Sequence, residues 1–205
     1  MPKREKFIPK QVYHIYNHGV ENQKIFLEDK DYQRFVDNVF EFCGKNSQNI
    51  ERPRKLFVDI FLANNQSQES LVDILAFCLM PDHFHLLLRP QTDNGITMFM
   101  RKLSIGYANY FNPKYKRSGT LFRGRYKSAL VNKQDHLNNL SYYLYSHPLD
   151  LFAPQWRNGG LKDYKSVMDF LNSYRWSSYN DSYKEKIEVW LKALNPEILR
   201  DFMLG

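Results

Sequence analysis

Hydrophobic and polar positions along the chain predict four strands and three long helices. Runs rich in β-branched and aromatic residues predict strands, and apolar positions that recur every three or four residues predict helices. Pro81 and Asp82 form a turn, so the two strands on either side of them make a hairpin. The predicted strands span 11–19, 72–80, 83–90 and 120–131, and the predicted helices lie within 27–44, 95–112 and 132–148.

The pattern is less specific in two stretches. The segment KLFVDIFLANN (55–65) fits either a strand or the end of a longer helix, and the chain from 149 onward predicts shorter helices and loops, closing with a helix in NPEILRDFMLG. In the helix at 95–112, helical spacing predicts four inward-facing side chains. They are Met98, Leu103, Ile105 and Phe111.

The order of these elements is strand, helix, strand, strand, helix, strand, helix. This order predicts an α+β fold of the ferredoxin-like split βαβ type, with an antiparallel sheet and helices on one face. The helix that contains Tyr143 then follows the last core strand. A length of 205 residues suffices for one well-cored domain, or for one domain with an appendage.

Basic charge is concentrated in one part of the chain. The net charge is +7, yet the stretch 94–134 contains no Asp or Glu. Aromatic residues alternate with cations there, as in proteins that bind single-stranded nucleic acid. A solvated basic face with core-filling aromatics is the simpler alternative. The aromatic residues interleaved with these cations are Tyr107, Tyr110, Phe111, Tyr115, Phe122 and Tyr126.

The cysteine content, the N-terminal sequence and the lengths of the apolar runs indicate the cellular setting. Cys43 and Cys78 are the only two cysteines, which is neither a disulfide scaffold nor a zinc-ribbon pattern. The basic N-terminus lacks the apolar stretch of a secretion signal, and no apolar run is long enough to span a membrane. We therefore expect a reducing, cytoplasmic setting.

Two histidines stand one residue apart in LMPDHFHLLLRP (79–90). On a strand, alternate side chains share a face, so His83 and His85 project together while Phe84 points into the helix-covered core. Two imidazoles on one face can bind one divalent cation. Two histidines hydrogen-bonded on a half-exposed sheet face are an equally good explanation of this motif alone.

A second pair lies on the last long helix. Tyr143 and His147 are four residues apart, a spacing that brings both side chains onto one helical face. Pro148 places His147 near the helix end, where the dipole favours a cation. A third ligand and a tyrosine hydroxyl could then lie beside the same metal, although a packing tyrosine is common in a chain with 14 of them.

With these residues in view, the sequence resembles the IS200-like single-tyrosine (Y1) transposases of the HUH endonuclease class, which include REP-associated tyrosine transposases. The resemblance covers most of 13–179. It is carried by YHIYNHG, IFLEDKDYQRF, AFCLMPDHFHLLLRP, GYANYFNPKYKRSGTLFRGRYKSALV, YLYSHP and YRWSSY.

The resemblance implies a ferredoxin-like fold and metal-dependent cleavage and joining of single-stranded DNA. His83 and His85 match the histidines of the His-hydrophobe-His motif, Tyr143 matches the nucleophile that forms a 5′-phosphotyrosine link, and His147 matches the third metal ligand. Relatives usually carry Gln or Asn at that third position. The implied cofactor is Mg²⁺ or Mn²⁺, and a histidine there could favour Mn²⁺.

The resemblance also implies a DNA partner and a domain organisation. Residues 1–148 would form the catalytic domain, and 149–205 a helical extension packed on it. The partner would be single-stranded DNA, with a hairpin at the ends of the element, in a prokaryotic cytoplasm. Family members act as dimers or as monomers. The expected DNA-binding residues are Arg101, Lys102, Lys114, Lys116, Arg117, Arg123, Arg125 and Lys127.

Two other classes of function remain open. A ferredoxin-like sheet with aromatic and basic residues can bind nucleic acid without cutting it, as a domesticated transposase would. A metal hydrolase would use His83, His85 and His147 with a bound water. The hydrolase is disfavoured because no acidic general base is expected near the motif.

Overall fold

The computed structural model describes residues 6–43, 70–158 and 161–179, together with 187, 189 and 191. The predictions for 55–65 and for the closing helix lie outside these residues. The strands are β1 (Val12–His18), β2 (Val72–Met80), β3 (His83–Pro90) and β4 (Lys127–Val131). The helices are α1 (Asp29–Cys43), α2 (Gly95–Lys114), α3 (Gln134–Ser146), α4 (Leu149–Phe152) and α5 (Tyr164–Ser173), with 3₁₀ helices at Val20–Asn22 and Pro154–Asn158.

The sheet confirms the predicted α+β fold. Its four strands lie in the order β2-β3-β1-β4, and β1 is antiparallel to both β3 and β4. Ile15 of β1 pairs with Leu86 of β3 on one side and with Ser128 of β4 on the other. This order is that of a split βαβ sheet, in which β1 occupies a central position although it comes first in the chain.

Each central strand divides its side chains between two faces, as strand alternation requires. Phe84 of β3 is buried and lies 5.0 Å from the ring of Phe35 on α1, measured between ring centroids. His83 and His85, its neighbours on either side, therefore point to the face away from α1. The prediction that Phe84 packs into the helix-covered core is confirmed.

Helix α2 presents a different stripe to the core from the one predicted. Leu103 and Phe111 are buried as expected, but Met98 and Ile105 are 46% and 51% exposed. The buried stripe includes Met100 and Tyr107 instead. Residues 100, 103, 107 and 111 keep the three- and four-residue steps of one helical face, which 98 and 105 do not share.

Strand β4 is shorter than the sequence predicts. The prediction covered 120–131, and regular pairing begins only at Lys127. Gly124 has a φ of 66°, a left-handed conformation that interrupts an extended strand and that glycine adopts readily. Phe122 still forms an isolated antiparallel bridge with Gly19, so the start of the predicted strand keeps one point of pairing.

The chain divides into two compact units. Unit one contains the described residues up to Leu75 and those from Leu79 to Val131. Unit two contains Ala76–Cys78 and the described residues from Asn132 onward, so it includes α3. The predicted boundary after 148 stays a prediction. Within the described residues, no helix is long and apolar enough to cross a membrane.

Candidate functional site

Unit one carries a group of rings that we call the histidine face: His14, Tyr16 and His18 of β1 with His83 and His85 of β3. The strand register pairs Tyr16 with His85 and His18 with His83. Ligand nitrogens of His83 and His85 lie within 4.8 Å of each other, and the two ring centroids are 5.1 Å apart. Sequence alternation correctly predicted that these two histidines lie together.

Both β3 histidines have their Nδ1 atom within hydrogen-bonding distance of a neighbouring side chain. Nδ1 of His83 lies 2.7 Å from Oδ1 of Asp82, the residue before it in the hairpin turn. Nδ1 of His85 lies 2.9 Å from Nε2 of His14 on the neighbouring strand. His18 stacks on His83 with a centroid separation of 4.6 Å. The imidazoles are thus oriented by side chains of the same unit.

Charges around the histidine face shift two pKa values. The hydrogen bond with His83 lowers the pKa of the Asp82 carboxyl, against the opposing effect of burial, so the group is a carboxylate at neutral pH. Burial lowers the pKa of His18, and the nearby His83, Lys127 and Arg123 lower it further, against the opposing effect of the Asp82 charge. His18 is therefore mainly neutral at pH 7.

Asp82 corrects one expectation from the sequence. An acidic residue does lie beside the histidine motif, but its carboxylate accepts a hydrogen bond from His83. Its geometry is that of an orienting group for an imidazole. The sequence signal for it was present, since Asp82 directly precedes His83.

Two of the expected DNA-binding cations flank the histidine face. The backbone N–H of Arg123 donates to the carbonyl of His18 at 2.8 Å, which holds that residue beside the end of β1. Nζ of Lys127 lies 5.8 Å from the centroid of the Tyr16 ring. Both side chains are exposed. Positive charge is thus available where a phosphate approaching the histidines would need it.

Other expected DNA-binding residues lie elsewhere in unit one. Arg101 and Lys102 of α2 line a surface cavity together with Phe42, Met98 and Ile105. Three more belong to the segment around the end of α2 and the start of β4: Lys116 is exposed, Arg117 lies over the ring of Phe111, and Arg125 lies over the ring of Tyr126. Their DNA contacts stay predictions.

Lys114, another expected DNA-binding residue, belongs to a group that we call the Asp31 cluster: Glu28, Asp31, Tyr110, Lys114 and Tyr115. Nζ of Lys114 donates to Asp31 Oδ1 at 2.5 Å, to Glu28 Oε1 at 2.8 Å and to the Tyr110 hydroxyl at 2.7 Å. The hydroxyl of Tyr115 donates to Asp31 Oδ2 at 2.7 Å. The charge of Lys114 is neutralised within the protein.

Asp31 also stabilises the start of α1. Its Oδ2 accepts the backbone N–H groups of Leu27 and Glu28 at 2.9 and 3.1 Å, donors that a helix N-terminus leaves unpaired. Burial raises the pKa of Asp31, but the hydrogen bonds from Lys114, Tyr115 and this backbone outweigh it and lower the pKa overall.

Several aromatic residues of the basic stretch have a structural role. Tyr107, Phe111 and Phe122 are buried, and the hydroxyl of Tyr107 donates to the carbonyl of Ile25 at 2.6 Å. For these three, the base-stacking interpretation is wrong and the core-filling alternative holds. Alternation of aromatic and basic residues arises here because α2 packs its rings inward and exposes its cations.

Unit two contains the second group, the Tyr143 cluster: Tyr143, His147, Asp150, Trp156 and Arg157. Tyr143 is 2% exposed, and its ring lies 5.0 Å from that of His147 and 6.2 Å from that of Trp156. The four-residue spacing on α3 thus brings Tyr143 and His147 together, as predicted.

Arg157 connects the members of the Tyr143 cluster. Its Nη1 donates to the Tyr143 hydroxyl at 3.2 Å. Its Nε donates to Asp150 Oδ1 at 3.0 Å, and its Nη2 donates to Asp150 Oδ2. Trp156 Nε1 also donates to Asp150 Oδ1, at 2.7 Å. Asp150 therefore holds the guanidinium that contacts the phenol.

The surroundings of Tyr143 have opposing effects on its acidity. Burial raises the pKa of the phenol to about 12, while the charge of Arg157 and its hydrogen bond act in the lowering direction. Sequence reasoning missed both Asp150 and Arg157. No spacing rule indicates Arg157, because it lies 14 residues beyond Tyr143 on a 3₁₀ helix. Asp150 follows His147 by three residues, and that spacing was the signal for it.

His147 is engaged within the same cluster. Its Nδ1 lies 3.3 Å from Nη2 of Arg157. A guanidinium can only donate, so Nδ1 accepts and the proton of the neutral ring is on Nε2. A cation could bind His147 at Nδ1 only after Arg157 moved away. This requirement was not visible from the sequence.

The fold and these groups define an α+β protein with a candidate metal-binding histidine pair on a split βαβ sheet. Residues 60–147 match the family model described as "Transposase IS200 like". That match includes β2, β3, α2, β4 and the whole of α3. This segment of the chain is therefore similar to IS200-like transposases. No curated protein was found to match the chain.

A solved structure of low sequence identity shares the fold. A REP-associated tyrosine transposase bound to a REP hairpin has a TM-score of 0.54 and 12% identity, over 87% of this chain and 82% of that chain. At this identity the likeness supports the fold alone.

Two further solved structures overlap with lower scores. A candidate transposase from Deinococcus radiodurans R1 has a TM-score of 0.38 and 19% identity, over 69% of this chain and 95% of that chain. A tRNA(His) guanylyltransferase from Saccharomyces cerevisiae has a TM-score of 0.40 and 12% identity, over 96% of this chain and 84% of that chain. Scores this low carry no argument about this chain.

Proposed function

We propose that this chain is a metal-dependent transposase that cuts and rejoins single-stranded DNA through a covalent tyrosine intermediate. The observation that supports it most is the pair His83 and His85, whose ligand nitrogens lie within 4.8 Å of each other on one sheet face. That pair falls inside the segment 60–147 that matches the IS200-like family. The same segment contains Tyr143 and His147.

Tyr143 is the proposed nucleophile. Its phenol oxygen attacks the phosphorus of a DNA phosphodiester and loses its proton, the new O–P bond forms, and the P–O3′ bond breaks. The departing 3′ oxygen gains a proton, and the DNA stays attached as a 5′-phosphotyrosine. The 3′-hydroxyl of another strand can then reverse the step and join, so no nucleotide triphosphate is required.

Arg157 supports this step in the proposed mechanism. A phenol has a pKa of about 10 in water, and burial raises that of Tyr143 to about 12. Negative charge must nevertheless develop on the attacking oxygen. The guanidinium that donates to the hydroxyl at 3.2 Å stabilises this charge, and Asp150 keeps the guanidinium in place.

The proposed cofactor is Mg²⁺ or Mn²⁺, held by His83, His85 and His147. The donor set fits a divalent cation, because imidazole nitrogens are competent ligands and His83 and His85 lie side by side. Such a cation, when bound, polarises the scissile phosphate and offsets its developing negative charge. His147 serves as the third ligand only if Arg157 releases its Nδ1.

Single-stranded DNA is the proposed partner, with a hairpin next to the cleaved strand. A fold neighbour, the REP-associated tyrosine transposase, was solved with a REP hairpin bound. In this chain, Arg123 and Lys127 beside the histidine face are the cations best placed to contact phosphates. A homodimer, in which one subunit's tyrosine serves the other's metal, is one of the two arrangements known in the family.

A covalent adduct is the direct test. The protein is incubated with Mn²⁺ and single-stranded oligonucleotides taken from the DNA that flanks its own gene, and products are separated under denaturing conditions. We expect a protein–DNA adduct that is lost in Tyr143→Phe and kept in the matched variant Tyr142→Phe. An adduct that survives Tyr143→Phe rejects the assigned nucleophile.

The alternative is a DNA-binding domain that does not cut. The 2% exposure of Tyr143 favours this alternative, because a nucleophile must reach its phosphate. It predicts that DNA binding needs no metal, that no adduct forms in the unaltered protein, and that Tyr143→Phe leaves binding unchanged.

A further inference from the structure

The two histidines proposed to bind the metal are held in the same way by different partners. Each has its Nδ1 within hydrogen-bonding distance of a side chain in the same unit: Asp82 for His83, at 2.7 Å, and His14 for His85, at 2.9 Å. This leaves Nε2 of each ring as the atom that can face a cation.

We propose that Asp82 and His14 are positioning residues that fix the tautomers of His83 and His85, so that both rings offer Nε2 to one divalent cation. The inference rests on the proposed function, because it assumes that this pair holds the metal. It deepens that function by assigning two residues that never touch the ion.

For Asp82 the argument is chemical. A carboxylate accepts hydrogen bonds and donates none, so the proton between Asp82 and His83 belongs to the imidazole Nδ1. A neutral imidazole with its proton on Nδ1 has its lone pair on Nε2. Carboxylates that orient metal-binding histidines in this way are a recurrent arrangement in metalloproteins.

For His14 the argument is the strand register. Residue 14 pairs with Leu87 and residue 16 with His85, so His14 is the diagonal neighbour of His85 on the same face. The rings are nearly parallel, at 18°, with centroids 5.1 Å apart. Either ring could donate, and metal binding selects the form in which Nδ1 of His85 donates to Nε2 of His14.

The hydrogen bonds that Asp82 and His14 make with the metal-binding histidines should differ in strength. A hydrogen bond to a charged acceptor is stronger than one to a neutral ring, so Asp82 should contribute more to metal affinity than His14. Loss of an outer partner of a metal ligand typically lowers affinity by about 10–100-fold. We place Asp82→Ala in the upper part of that range and His14→Ala in the lower part.

A competing geometry uses the same residues differently. Ligand atoms of His18, Asp82 and His83 also lie within 4.8 Å of one another, so a cation could bind there with Asp82 as a direct ligand. That site would depend on His18 and be indifferent to His85. The positioning arrangement has the opposite dependence, which makes the two experimentally separable.

The first experiment measures Mn²⁺ binding to the full chain without DNA, from the electron paramagnetic resonance signal of the unbound ion. We expect the dissociation constant to rise by about 100-fold in Asp82→Ala and about tenfold in His14→Ala. Asp82→Asn and His14→Gln keep an acceptor atom and should restore part of the affinity. Asp93→Ala, an exposed carboxylate of the same unit, and His136→Ala are matched controls.

His18→Ala and His85→Ala decide between the two geometries. Retained affinity in His18→Ala with a loss in His85→Ala supports the positioning role. A loss in His18→Ala with retained affinity in His85→Ala overturns it and makes Asp82 a ligand. Thermal melting of each variant identifies any loss that comes from unfolding.

The second experiment observes the tautomers directly. Imidazole ¹H–¹⁵N correlation spectra of the metal-free protein should show His83 with its proton on Nδ1, and a shift toward Nε2 in Asp82→Ala. A ring of His83 protonated on Nε2 in the unaltered protein overturns the proposal. This readout remains available if Asp82→Ala melts early, since the unaltered protein alone gives a decisive spectrum.

Failure of the inference and failure of the proposed function give different results. If the unaltered protein binds Mn²⁺ and forms the DNA adduct while Asp82→Ala binds Mn²⁺ equally well, only the positioning role is rejected. If the tautomers and Mn²⁺ affinities behave as expected but no adduct forms, the positioning role stands and the proposed cleavage is rejected.

Discussion

The Asp31 cluster of unit one and the Tyr143 cluster of unit two are built alike, but the donors of their basic side chains are paired differently. In each, an aspartate accepts hydrogen bonds from a basic side chain, Lys114 in one and Arg157 in the other. In each, a tyrosine hydroxyl takes part. The difference lies in where the remaining donors of the cation point.

Lys114 directs its ammonium group at Asp31, Glu28 and the Tyr110 hydroxyl. An ammonium has three donors, and these acceptors use all of them. Arg157 presents a planar fork with five donors, so it can pair with Asp150 and still donate from Nη1 to the Tyr143 hydroxyl. The ion pair built on lysine therefore uses all the donors of its cation, whereas the one built on arginine keeps a donor for a tyrosine hydroxyl.

Asp31→Ala, which removes the centre of the first cluster, should have the largest effect. The carboxylate is fully buried, and its loss leaves two backbone N–H groups and the Tyr115 hydroxyl without their acceptor. Lys114 keeps Glu28 but loses the second carboxylate of its ion pairs. Each donor left without its acceptor costs about 1–3 kcal/mol, so we expect the free energy of unfolding by urea to drop by about 3–5 kcal/mol in total. Glu41→Ala, at an exposed position near the other end of the same helix, should change it by less than about 0.5 kcal/mol. Equal effects of the two would contradict a special role for Asp31.

Arg157→Ala should act on the reaction. Without the guanidinium, charge on the Tyr143 oxygen loses a stabilising donor, and losing one such donor slows a reaction by about 10²–10³-fold. We expect this loss in the single-turnover rate of adduct formation, with DNA affinity nearly unchanged and partial recovery in Arg157→Lys. Arg175→Ala, an exposed arginine of the same unit, is the matched control. An unchanged rate would make Arg157 a purely structural partner of Asp150.

Acid should selectively weaken the Asp31 cluster. The folded-state pKa of Asp31 lies below its ordinary value of 3.8, so the unfolded chain binds the proton more readily and stability falls as pH falls. The contribution of Asp31 is fully present above pH 3.8 and is lost as the pH drops through its lower folded value. Urea unfolding followed from about pH 6 down to about pH 3 should show a steeper loss in the unaltered protein than in Asp31→Asn. If the stability of the unaltered protein and of Asp31→Asn fell equally with pH, Asp31 would not be the cause of the loss in acid.

The smallest expected effect is on the salt dependence of DNA affinity. Each phosphate contact to single-stranded DNA contributes about 0.7 to the slope of log affinity against log salt. Lys127→Ala, beside the histidine face, should reduce that slope by about 0.7, while Lys114→Ala should leave it unchanged because its charge is already neutralised. Fluorescence anisotropy with a labelled single strand measures both. A reduced slope in Lys114→Ala would show that Lys114 leaves Asp31 to contact DNA.

Much of the fold and half of the candidate site could be predicted from the sequence, for a local reason. Side chains alternate along any strand and recur every three to four residues along any helix. That rule alone places His83 with His85, Phe84 against the helices, and Tyr143 with His147. The hairpin of β2 and β3 follows from Pro81 and Asp82 in the same way.

Only the tertiary structure decided which groups meet across long stretches of chain. Lys114 and Asp31 are 83 residues apart in sequence, and His14 and His85 are 71 apart. Nothing in a local pattern links such residues, because their approach depends on strand order and on the packing of whole helices. The charge of the basic stretch could be counted from the sequence, but packing determined that Lys114 is neutralised inside the protein while Lys127 lies beside the histidine face.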